Sequence, residues 1–119
     1  MTGQERMQVE HLQIDVRSEQ DRIVLCLHGE LDLASAPLLQ GEIESAEADD
    51  ATLVVLDLDD LEFIDSTGLR IILAAHERSQ ERGQMLALTR GSQPVQRLMS
   101  ITRVGEHLRI IESSDEQLV

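Results

Sequence analysis

Residues 22–28 and 53–58 constrain the fold more than any other part of the chain. At the centre of the first, Ile23, Val24, Leu25, Cys26 and Leu27 are apolar at successive positions; the second reads Leu-Val-Val-Leu-Asp-Leu. Successive strand residues point to opposite faces of a sheet, so an unbroken apolar run needs cover on both faces. Strands of this kind belong to parallel sheets backed by helices.

The flanking segments agree. Residues 1–10 are polar and mixed, and a flexible N-terminal arm is expected there. Leu12, Ile14 and Val16 alternate with polar neighbours as in a half-buried strand. A polar turn over 18–21 joins it to the strand at 22–28 in an antiparallel hairpin. Gly29-Glu30-Leu31-Asp32 breaks that strand, and Ser35 is placed to cap a first helix with Pro37 in its first turn. Leu39, Ile43 and Ala46 give this helix its apolar stripe, and Asp49-Asp50 ends it. After the strand at 53–58 come a loop over 59–65 and a second helix over 66–82, stopped by Gly83. A strand at 85–89, a helix at 93–101 and a short strand at 108–111 complete the order. The pattern predicts an α/β fold with a mixed, mostly parallel four- to five-stranded sheet, an N-terminal antiparallel hairpin and helices packed against it. One domain is expected over 11–112, followed by a solvated acidic tail at 113–119; the 119-residue length suits a single domain.

Composition removes whole classes of function. All ten basic residues are Arg, against 23 Asp and Glu, for a formal net charge of −13. Without Lys there is no phosphate-loop, Schiff-base or receiver-type lysine. Phe63 is the only aromatic residue, so the chain lacks both the positive charge and the stacking platforms that nucleic-acid binding uses. The same charge repels an anionic membrane surface, and no run of about 18 apolar residues is present. The acidic first ten residues lack the layout of a signal peptide. Cys26, the sole cysteine, excludes an internal disulfide and a cysteine metal cluster, which fits the cytoplasm. With no phosphate-cradling glycine loop, no cofactor is expected.

Loops beyond the carboxyl ends of parallel strands are where such sheets meet ligands and partners. Residues 57–69 hold five carboxylates, Phe63, and the hydroxyls of Ser66 and Thr67 at a helix start. Enzyme readings fail on spacing. Ile64-Asp65-Ser66-Thr67-Gly68 lacks the first glycine of a nucleophile elbow, and the four histidines have no telling context. A calcium loop counted from Asp57 has Gly68 where glutamate is needed. Two readings stay open. In one, Asp65 or Ser66 caps the helix, Gly68 allows close packing, and Phe63 and Ile64 plug the core. In the other, Ser66 accepts a phosphoryl group from another protein, and the helix N-terminus holds the phosphate without loss of fold. That adds about −1.5 to −2 charges to an already acidic loop and prevents docking to a partner.

Gly29-Glu30-Leu31-Asp32 after the second strand, and Asp65-Ser66-Thr67-Gly68-Leu69 opening a helix, resemble the STAS-domain anti-sigma factor antagonists of bacteria. The resemblance extends over roughly residues 12–111. It implies a binding protein rather than an enzyme. Unphosphorylated, it binds a cognate anti-sigma factor that is also a serine kinase and so releases the sigma factor. The resemblance places phosphorylation at Ser66, with a phosphatase acting on the phosphoserine to reverse it. Asp32, Asp65, Ser66, Thr67 and Gly68 match the family's phosphorylation and binding surface, with Thr67 in a slot that is Ser or Thr. The alternative within the resemblance is a non-switching STAS interaction subunit of a stress-signalling or transporter-associated complex.

Overall fold

A computed structural model describes residues 3–49 and 51–118. The strands are β1 (Gly3–Val9), β2 (Leu12–Ser18), β3 (Arg22–Leu31), β4 (Leu53–Ile64), β5 (Met85–Thr89) and β6 (Ile110–Ile111). They form one six-stranded sheet in chain order. β1, β2 and β3 pair antiparallel; β3 through β6 pair parallel. The connections are α1 (Ala36–Ala48), α2 (Ser66–Arg82) and α3 (Gln93–Thr102), with a 3-10 turn at Val104–His107. The mixed, mostly parallel sheet with its N-terminal hairpin is therefore as expected, with more strands.

One extra strand lies in the segment expected to be a loose arm. β1 pairs with β2 over its whole length, Gly3 opposite Ser18 and Val9 opposite Leu12. It is exposed along almost all of its length, so no alternation of apolar residues marks it. Its conformation comes from its neighbour: Arg6 lies opposite Asp15 and donates to its carboxylate at 3.0 Å.

β3 and β4 also run further than expected. Gly29 to Leu31 continue β3, and the anticipated loop at 59–65 is strand as far as Ile64. The buried residues Leu58, Leu61 and Ile64 recur every third position, a period that hides a strand. Register shifts explain the spacing. From Cys26 to His28 β3 advances two residues while its partners advance three, Asp57 to Asp60. A second slip sets Gly29 and Glu30 against Leu61 and Phe63. Each slip adds one residue to β4 and restores the inward side chain, as bulges do. Gly29 makes this possible: its φ is +101°, and a Cβ there would stand 2.0 Å from His11 O.

α1 and α2 cover one face of the sheet through Leu39, Ile43, Leu69 and Ile72, with Val95 and Met99 of α3 joining the same core. The opposite face carries a smaller cluster of Val24, Leu53, Val55, Ala87 and Ile111, against which Leu118 packs. The tail expected to be solvated is thus a strap. Arg22, only 4% exposed, donates from Nη1 to the carbonyls of Ser114 and Glu116, both at 2.9 Å. Arg17 reaches Ser114 Oγ at 3.3 Å and Asp115 at 3.2 Å.

Candidate functional site

The carboxyl ends of β3 and β4 lie side by side, so the junctions β3–α1 and β4–α2 meet, and Asp65 joins them. Its backbone is extended (φ −106°, ψ −177°), and its Oδ1 accepts the Gly68 N–H at 3.0 Å, which makes it the N-cap of α2. Its Oδ2 accepts the Leu33 N–H at 3.2 Å, and its own N–H donates to Leu31 O at 3.1 Å. One carboxylate therefore fixes the start of α2 and the loop before α1 together.

With Asp65 as the cap, Ser66 is free. It is the first residue of α2, exposed, and its hydroxyl makes no hydrogen bond among the described residues. Asp32 organises the adjoining loop. Its Oδ1 accepts the Ser35 N–H at 3.0 Å, while the Ser35 hydroxyl accepts the Asp32 N–H at 3.0 Å and donates to Glu30 O at 2.9 Å. Ser35 sits at the N-cap position of α1 but makes no capping hydrogen bond there, contrary to expectation. The hydrogen bond from Ser35 N–H holds the Asp32 carboxyl below its usual range.

Asp32, Asp65 and Ser66 are thus brought to one end of the sheet. Thr67 lies beside them, half-buried, on the rim of a groove between α1 and α2. Gly68 does not share their surface. It is buried, and a Cβ there would meet Leu31 Cγ at 2.6 Å and Cδ2 at 2.7 Å, so it serves α2 packing on β3 and offers no surface to a partner's backbone. Ile64 is buried, but Phe63, expected in the core, is 46% exposed because the second register slip turns it outward.

Two features of this end were not singled out in the sequence. Leu33, 73% exposed, projects from the loop that Asp65 holds. The groove beside it, about 340 Å³, is lined chiefly by Leu33, Pro37, Thr67, Arg70 and Ile71. Their signal was faint: a second leucine, past the Gly-Glu-Leu-Asp run and among small residues, with no apolar neighbour to pair with. The segments that converge at this end of the sheet thus carry the free Ser66 hydroxyl, the exposed Leu33 and Phe63, and the carboxylates of Asp32, Glu62 and Asp65.

Elsewhere, His28 lies between Asp15 (Nε2 to Oδ2, 3.3 Å) and Asp60 (Nδ1 to Oδ2, 3.6 Å) on the sheet face opposite α1 and α2. Burial, then the Asp57 carboxylate, pushes the Cys26 thiol up to about 11, so it stays protonated and a poor nucleophile at neutral pH. Among the described residues, no group of three or more His, Cys, Asp or Glu is arranged to hold a metal ion, and no helix is long and apolar enough to cross a membrane.

Comparison with known proteins bears on this architecture. The anti-sigma-F factor antagonist RsfB of Mycobacterium tuberculosis is 38% identical over 69 residues, 58% of this chain and 57% of that protein. The chain thus spans a little over half the length of that curated relative. The anti-sigma-B factor antagonist of Bacillus subtilis is 28% identical over 105 residues, 88% of this chain and 95% of that protein. A crystal structure of an anti-sigma factor antagonist from Mycobacterium paratuberculosis superimposes with a TM-score of 0.76, covering 87% of this chain and 88% of that one at 24% identity, and so shares the fold. The STAS domain family model matches residues 13–117, from β2 through the C-terminal strap. Because that match takes in most of the described residues, the chain belongs to the STAS domain family.

Proposed function

We propose that this protein is an anti-sigma factor antagonist, a regulatory binding protein rather than an enzyme, working in the cytoplasm. In its unphosphorylated form it binds a cognate anti-sigma factor that is also a serine kinase and frees the sigma factor; phosphorylation at Ser66 ends the interaction, and a phosphatase acting on phosphoserine restores it. The names of the relatives support the antagonist role. The observation that carries the switch is the free Ser66 hydroxyl: Asp65 supplies the cap, and the serine stands exposed on a junction held by three hydrogen bonds. A kinase can reach the hydroxyl without unfolding α2. Phosphate there gains the helix N-terminal N–H groups and dipole, so the fold survives while the contact surface gains bulk and further negative charge. Asp32, Asp65 and Thr67, with Leu33 and Phe63, form the surface presented to the partner; Gly68 supports it from beneath.

The test pairs Ser66→Asp and Ser66→Ala with the anti-sigma kinase from the same genome, using calorimetric binding and a phosphorylation assay with ATP. Ser66→Ala binds as the parent does and takes up no phosphate, whereas Ser66→Asp loses binding by at least about tenfold. Equal binding by Ser66→Asp would overturn the switch and leave a non-switching STAS interaction subunit.

A further inference from the structure

Arg70 is the feature of the Ser66 surface that the reading above leaves unused. It is exposed and makes no ion pair or side-chain hydrogen bond among the described residues, whereas Arg6, Arg17, Arg22, Arg78 and Arg90 all hold carboxylates. It lies four residues after Ser66 on α2, hence on the same helix face one turn along, with Cβ atoms about 5–6 Å apart. Cα–Cβ bonds tilt toward a helix's N-terminus, so a long side chain at position 70 covers the turn that carries Ser66. An anion preceding a cation by four residues is also the favourable order of the pair.

We propose that Arg70 is the intramolecular counter-ion of a phosphorylated Ser66. The inference rests on Ser66 being the phosphoacceptor. The neighbouring carboxylates leave the phosphate few other directions: Asp32, Glu62 and Asp65 repel it, and Asp65 is committed to the Gly68 and Leu33 N–H groups. Arg70 also lines the α1–α2 groove with Leu33, Thr67 and Ile71. Pairing with the phosphate draws the guanidinium back over the first turn of α2 and takes a free cation from the groove rim. Phosphorylation then alters the partner surface at two places, by adding an anion at Ser66 and by withdrawing a donor from the groove.

The test is a phosphorus NMR pH titration of the full chain with phosphoserine genetically encoded at position 66, in otherwise parental, Arg70→Gln, Arg70→Lys and Arg97→Gln backgrounds. Arg97 serves as the control because it stands on a different helix, α3, in a pocket with Ile64 that none of the α2 residues lines. Removing the Arg70 charge raises the second ionisation of the phosphate by about half a unit, roughly a threefold change in acidity. Arg70→Lys retains part of the effect, Arg97→Gln leaves the titration unchanged, and about 1 M salt shrinks the difference. Superimposable titrations of the parent and Arg70→Gln would overturn the proposal, as would an equal shift from Arg97→Gln. No partner protein enters the measurement. A normal shift alongside a failed binding switch therefore counts against the function of Ser66, and a missing shift alongside an intact switch counts against Arg70 alone.

Discussion

The two hydrogen bonds accepted by Asp65 set a measurable cost. Asp65→Ala removes an N-cap, about 0.5–2 kcal/mol, and the charge-assisted bond from Leu33 N–H, about 1 kcal/mol because Leu33 is exposed and water replaces part of it. Together the loss is about 1.5–3 kcal/mol, or about 10 °C in Tm for a domain of this size. Asp65→Asn keeps one side-chain oxygen able to accept, and its amide cannot accept from the second N–H, so about half of the loss is expected. Ser66→Asp, in the same series, changes stability by no more than about 0.5 kcal/mol, because an anion in the first turn suits the helix dipole. Urea denaturation with matched m-values gives the energies, and amide exchange separates the two bonds. In Asp65→Ala both the Leu33 and Gly68 amides lose protection; in Asp65→Asn one is retained. Stability of Asp65→Ala within about 0.5 kcal/mol of the parent, or an Asn variant as unstable as the Ala variant, would refute the dual role of the carboxylate.

Two further outcomes follow from other parts of the fold. Arg22→Met keeps the buried stem but deletes both hydrogen bonds to the strap; a loss of about 2–4 kcal/mol is expected, together with faster amide exchange across residues 113–118, and unchanged exchange there would count against the strap. The lowered Asp32 pKa means that its contribution is fully present above the unfolded value, about 3.9, and disappears as pH falls through the lower folded value. The stability gap between the parent and Asp32→Asn should therefore close on going from pH 6 toward pH 2 in urea titrations, and a gap that widened with acid would reverse the sign argued here.

Where an element buries one face against its own side of the sheet, it could be read from residue order alone. Strand β2, the helix beginning at Ser66 and ending at Arg82, and the strand at Met85–Thr89 carry patterns set by their own cores, and they stand where expected. The Asp-Ser-Thr-Gly motif was visible for the same reason, as a cap and a close-packing glycine placed at a strand-to-helix turn. Phe63 and the 59–65 segment misled because their directions depend on how β4 slips against β3, which no property of β4 reports.

By itself the sequence determined the α/β class, the alternation of helices with buried parallel strands, and the position of Ser66 at a helix start, since each depends on local spacing and on burial of both strand faces. Only the tertiary structure decided that Asp65 and not Ser66 caps α2, that Leu33 and Phe63 stand exposed, that β1 belongs to the sheet, and that the tail packs against it. These outcomes are set by partners distant in the chain: Asp65 gains its second hydrogen bond from residue 33, β1 takes its conformation from β2, and the tail is held by Arg22. A local pattern records what a segment buries, but not which distant backbone will satisfy its hydrogen bonds.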